Sequence, residues 1–209
     1  MALFGNLLMG TGVSLLRISG LGNDAFTAMV MSLSEISPFD LAIFQILVNL
    51  TIIAIPLIWG RKYVGFGTLV TMFLLGYVVQ YLIPILEGVV GVEGSHSFPI
   101  QVVIMICAIT IISIGITIYQ RSDAGIAPFD YLSIGLTEKF KNKYFINRIC
   151  TDAGCVLLAL MPFVFGMKKL GDCHIGISTL CCVFLFGPLV GMFDKIIFTS
   201  KSKDVGDGM

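Results

Sequence analysis

The sequence predicts an all-α polytopic membrane bundle: about six transmembrane helices plus two short re-entrant or interfacial helices, built as two inverted three-helix repeats. Three observations carry this. The 209 residues are 56% hydrophobic and only 12% charged, with a mean hydropathy of +0.96, a balance foreign to soluble domains. The apolar residues fall into six runs of about 17 to 25 residues, the length a spanning helix needs. The second half repeats the order of the first.

The first run covers residues 2–18 and ends at Arg17 and Ile18. No Lys or Arg precedes it, which is the wrong order for a cleaved signal peptide, so it is read as a helix. A glycine-containing segment, 19–37, follows, and then a second span over 41–59. Gly60, Arg61 and Lys62 make a turn into a third span, 64–86, and the polar stretch 87–97 (EGVVGVEGSHS) links the halves. Span four covers 99–119, a second glycine segment 122–140, span five 144–165 and span six 175–198. A single transmembrane domain thus occupies 1–199, with repeat 1 over about 1–87 and repeat 2 over about 98–199. The polar tail 200–209 has the composition of a disordered end.

The duplication is arithmetical. An offset of 103 pairs Gly12 with Gly115, Gly22 with Gly125, Phe26 with Phe129, Leu33 with Leu136 and Glu35 with Glu138. At 106 it pairs Pro56 with Pro162 and Gly60 with Gly166; at 111 it pairs Gly65 with Gly176, Thr68 with Thr179 and Gly76 with Gly187. Glycines, prolines and a glutamate in one order are not chance matches among apolar letters.

Placing both termini in the cytoplasm puts Arg61, Lys62, Arg121, Lys139, Lys141, Lys143, Arg148, Lys195, Lys201 and Lys203 inside, and leaves Arg17, Lys168 and Lys169 outside, of 13 basic residues in all. That excess obeys the positive-inside rule. Three spans per repeat then give the halves opposite orientations, an arrangement common in secondary transporters.

With this geometry the two glycine segments approach the bundle from opposite faces. In the second, Gly125 suits a turn and Pro128 the first turn of a helix carrying Asp130; the first holds Gly22 and Asp24. A helix N-terminus aimed inward would favour an anionic or polar group. Amphipathic helices capping the bundle at the interface are an equally good reading.

Spans two and five hold the other polar constellation. Gln45 and Asn49 share a helix face, and their repeat partners are Arg148 and Asp152. An intramembrane carboxylate points to function, although Arg148 and Asp152 read equally well as a structural ion pair and Gln45 and Asn49 as interhelical glue. The candidate substrate-binding set is therefore Gly22, Asp24, Gln45, Asn49, Gly125, Pro128, Asp130, Arg148 and Asp152.

Six cysteines without a CxxC pair read as buried apolar residues. His96 and His174 stand alone, with no second ligand at metal spacing. Gly10, Gly12, Gly76, Gly115, Gly187 and Gly191 are read as sites of close helix approach. No nucleotide-binding, hydrolase or zinc-protease motif occurs, so neither an enzyme nor a cofactor is expected; a net charge of zero without a basic block argues against nucleic acid.

The run AGIAPFDYLSIGLTEKF at 124–140, with GITIYQRSD before it and GISTLCCVFLFGPLVGMFD at 176–194, resembles the YczE/YitT-like family of small bacterial membrane proteins. Ala124 and Ser178 stand where that pattern has glycine; in the first half Ala25 replaces its proline and Thr27 its aspartate, with Asp24 as the nearby carboxylate. The resemblance implies a multi-pass protein of the bacterial plasma membrane and no defined activity. Two functions follow as expectations: a secondary transporter for a small polar or anionic solute, or an accessory protein that scaffolds a membrane partner. A homodimer is left open.

Overall fold

The computed structural model describes residues 1–57, 65–92, 95–122, 127–141, 143–166 and 174–199. Among these the chain is wholly helical: α1 (Ala2–Ile18), α2 (Ala25–Ser34), α3 (Leu41–Leu57), α4 (Phe66–Val90), α5 (Phe98–Gln120), α6 (Pro128–Phe140), α7 (Tyr144–Val164) and α8 (Ile177–Asp194), the last extended by a wider turn, Lys195–Thr199. Among the described residues, four stretches are long and apolar enough to cross a membrane: Thr71–Val90, Phe98–Gln120, Tyr144–Val164 and Ile177–Phe198. The helices α1 and α3 are apolar, each with 17 described residues.

Local chemistry sets the ends. Asp24 caps α2 by accepting the Thr27 N–H at 3.1 Å, a contact worth ~1 kcal/mol. Pro128 opens α6, where its missing N–H costs nothing, and Lys141 closes it in the left-handed conformation. Both α4 and α8 begin with a glycine whose N–H donates to the threonine three residues on, at 3.2 Å for Gly65 to Thr68 and 3.0 Å for Gly176 to Thr179. One boundary differs from the sequence expectation. The helix α4 runs through Glu87 and Gly88 to Val90 before Gly91 breaks it at a φ of 117°; a half-buried glutamate and an exposed glycine weaken a helix without ending it. The tail 200–209 lies outside the described residues.

The centre of the bundle is the crossing of α1 and α5. A methyl group on Gly5 would lie 2.9 Å from the Gly115 carbonyl oxygen, and one on Gly12 3.0 Å from that of Ala108, so the two antiparallel backbones nearly touch. Small residues permit such contact, where dispersion and weak polar contacts replace the hydrophobic drive that lipid lacks. The offset of 103 converts Gly5 to Ala108 and Gly12 to Gly115, so one contact is the image of the other. Side-chain bonds repeat likewise: Ser14 Oγ reaches the Val79 carbonyl at 3.5 Å, and Thr117 Oγ1 the Val190 carbonyl at 3.5 Å. Ser19 and Ser122 each cap back onto the carbonyl three residues before, at 2.5 and 2.6 Å.

Around this crossing α4 packs on α1 and α8 on α5, while the short helices cross over, α2 onto α7 and α6 onto α3. Gly22 has a φ of 105°, and a side chain on Gly176 would strike the Leu21 carbonyl oxygen at 1.9 Å. This approach stitches the first glycine segment to the start of α8, where Ser178 Oγ donates to the Gly22 carbonyl at 2.5 Å and Thr179 Oγ1 to that of Asn23 at 2.6 Å. Two details correct the sequence expectations. Gly191 has open space around it and Gly76 only the Gln45 side chain at 3.7 Å, so neither brings helices together. His174 does not stand alone: its Nε2 lies 2.8 Å from Glu35 Oε1.

Candidate functional site

The polar centre is built on α7. Arg148 and Asp152 lie one turn apart and their side chains meet, Nε to Oδ2, at 3.2 Å. The Arg148 guanidinium also donates to Asp130 Oδ1 on α6. The second oxygen of Asp130 accepts the hydroxyl of Tyr119 at the end of α5, and that hydroxyl in turn accepts the Ala127 N–H at 2.8 Å. The guanidinium carbon stands 4.8 Å from the centre of the Phe129 ring, close enough for a cation–π contact. All four charged or phenolic groups are buried. The helices carrying them are tied further by Ser133 to Thr151 at 2.8 Å and Asn147 to Thr137 at 3.0 Å.

The corresponding positions of the first half, 103 residues earlier, are Leu16 for Tyr119, Thr27 for Asp130, Gln45 for Arg148 and Asn49 for Asp152. None carries a charge, and no latch forms there. Instead a cavity of about 540 Å³ opens between the N-terminal ends of α2 and α6, a volume in the ~300–1,000 Å³ range of small-molecule sites. Asp24, Phe26 and Thr27 line it from α2 and its cap, Gln45 and Asn49 from α3, Pro128, Phe129 and Asp130 from α6, and Arg148 from α7. Apolar side chains of α1, α4 and α5 complete the wall, and Arg17 and Asp40 border it. Asn49 is 6% exposed. One oxygen of Asp24 is buried with no hydrogen-bond partner.

Six of the residues singled out from sequence, Asp24, Gln45, Asn49, Pro128, Asp130 and Arg148, therefore border one cavity. Asp152 stands behind Arg148 and does not reach the wall. Gly22 is placed elsewhere, packed against Gly176 on α8; Gly125 lies outside the described residues. Sequence reasoning missed Tyr119 as the partner of Asp130 and Phe129 as the face under Arg148. Tyr119 ends an apolar run where tyrosine is ordinary, and only the placement of the start of α6 beside the end of α5 brings it to Asp130. Phe129 had a signal in its offset match to Phe26.

The fold and this buried cluster define a helical protein with the apolar helices of a membrane protein, organised around a charged latch and an adjoining cavity. The chain belongs to DUF6198, a family of unknown function, whose model matches residues 1–195. It is similar to the uncharacterized protein YyaS of Bacillus subtilis (strain 168), at 24% identity over 202 residues covering 95% of this chain and 94% of the relative. An uncharacterized protein of Haemophilus influenzae is 22% identical over 197 residues, 93% of this chain and 82% of its own length. No solved structure matches the chain significantly.

Proposed function

We propose that the chain is a secondary transporter or permease of the bacterial plasma membrane. Its six spans form two inverted repeats, both termini are cytoplasmic, and a small polar or ionic solute is carried through a site between the halves. The observation that carries this is the cavity bordered by both short-helix N-termini, with equivalent faces of the two repeats on its wall. Contacts that exchange with one another under the offset of 103, such as Gly5 with Gly115 and Gly12 with Ala108, are what a two-fold axis between the halves produces. In the membrane plane such an axis would make α2 and α6 enter from opposite faces, each with its buried N-terminal end near the midplane. Non-helical backbone at that depth is tolerated only where it is packed in protein or faces a wet cavity. The YczE/YitT-like resemblance fits the same architecture.

In this proposal the Tyr119–Asp130–Arg148–Asp152 cluster closes the second-half side of the cavity, and the uncharged first-half equivalents leave the other side accessible. Alternating access would require the latch to part while the first half closes. Asp130→Asn or Asp152→Asn should therefore abolish flux in proteoliposomes while the protein still purifies folded. A protein that moves no tested solute, with both variants complementing a knockout fully, would sink the transport reading.

A further inference from the structure

We propose that the cavity takes a small organic cation, with a primary ammonium head seated on Asp24 and Asn49 and an apolar body lying along the cavity wall. This deepens the transport reading by naming the class of solute, and it rests on that reading for the claim of carriage but not for the claim of binding.

The charges decide the sign of the head. Among the described residues, Asp24, Asp40 and Asp130 border the cavity, as do Arg17 and Arg148. Arg148 is spent on two carboxylates, Asp130 and Asp152. An anion entering here would meet more carboxylate than guanidinium. The short-helix N-termini, which on sequence grounds would welcome an anion, already hold one each: Asp24 caps α2 and Asp130 sits in the first turn of α6.

Two unpaired groups say where the head goes. Asp24 uses Oδ2 on the Thr27 N–H, while Oδ1 is buried and without a hydrogen-bond partner. A carboxylate oxygen held away from water without a donor is unfavourable, and an N–H donor from a ligand removes that penalty. Asn49, one of the cavity-lining groups on α3, is 94% buried by its 6% exposure and its side chain makes no hydrogen bond among the described residues. Its amide oxygen is a second acceptor for an ammonium, which has three donors.

The shape decides between an organic cation and a bare metal ion. A sodium or calcium ion wants several oxygen ligands at short range. Among the described residues no group of three or more His, Cys, Asp or Glu side chains could hold such an ion; the cavity instead offers a volume of about 540 Å³, with side chains such as Met9, Val30, Met72 and Ile112 in its wall. That wall fits hydrocarbon.

Purified full-length protein in detergent can be titrated by calorimetry with phenethylammonium, phenylacetate and phenethyl alcohol, which share an apolar body and differ in the head, and with butylammonium and sodium chloride. The ammonium probes should bind saturably and the acid, alcohol and sodium should not. In Asp24→Asn, which keeps an N-cap oxygen, ammonium affinity should fall at least about tenfold, the factor carried by ~1.4 kcal/mol. If that variant does not purify as one species, Asn49→Leu should show a loss in the same direction. Preference for phenylacetate, heat from sodium alone, no binding of either ammonium, or unchanged affinity in Asp24→Asn would each overturn the proposal. An ammonium that binds in detergent but does not cross proteoliposomes would remove transport and leave the cation site standing. Carriage of an anion without ammonium binding would do the reverse.

Discussion

Phe26 and Phe129 pack ring to ring, their centroids 5.1 Å apart and their planes tilted by 31°, and they occupy the same position in the two halves of the chain. In the proposed two-fold arrangement, a residue that touches its own repeat partner lies beside the axis. The pair also forms part of the cavity wall, so the contact between these two matched positions and the candidate site are the same place. The two rings are nonetheless not equal, because Phe129 is more deeply buried and carries the Arg148 guanidinium on its face.

That inequality gives a first expected outcome. Phe129→Ala should destabilise the protein by ~3–5 kcal/mol, the usual range for a buried phenylalanine, and more than Phe26→Ala. The double variant should show a coupling of about 0.5–1.5 kcal/mol between the rings. Equilibrium unfolding in mixed micelles measures all three. Equal losses at the two positions, with no coupling, would mean that the rings do not form a joint.

Arg148 serves two carboxylates, so its loss and theirs are not equivalent. Arg148→Met leaves Asp130 and Asp152 buried and facing one another, a defect worth ~3–5 kcal/mol. Asp152→Asn leaves the Arg148–Asp130 pair and the Tyr119 hydroxyl bond intact and should cost clearly less. Arg148→Lys should recover only part of the loss, since an ammonium cannot hold two carboxylates in the forked geometry. Melting temperatures of the three variants, compared with flux, separate the latch's structural share from the transport role proposed for it.

Much of the architecture was legible because a membrane forces simple rules on a sequence. Apolar runs marked α1, α5 and α7 almost to the residue, and the spacing of four joined Arg148 to Asp152 without any structure. The failures have a common cause. Tyr119 meets Asp130, and His174 meets Glu35, through contacts that no local period encodes; Glu35 and His174 are 139 residues apart. Gly191 and Gly76 were read as packing sites on composition, yet whether a glycine faces a neighbour depends on helix rotation, which an all-round apolar helix leaves unspecified. The division of labour between a charged second half and an uncharged first half was visible in the letters Gln45, Asn49, Arg148 and Asp152. That it leaves a latch on one side and a cavity on the other needed coordinates.

Rotation also yields the sharpest contrast among the glycines. A methyl group on Gly176 would sit 1.9 Å from the Leu21 carbonyl oxygen, against backbone that cannot step aside without breaking the Ser178 and Thr179 bonds to the first glycine segment. One on Gly191 meets nothing within 4 Å. Gly176→Ala should therefore unseat α8 from the loop before α2 and lower the melting temperature sharply. Gly191→Ala should be neutral or slightly stabilising, because alanine is favoured over glycine in a helix by about 1 kcal/mol. Thermal unfolding of the two purified variants is enough to decide. If the two shift alike, the first glycine segment is not docked on α8, and the position of Asp24 at the cavity wall loses its support.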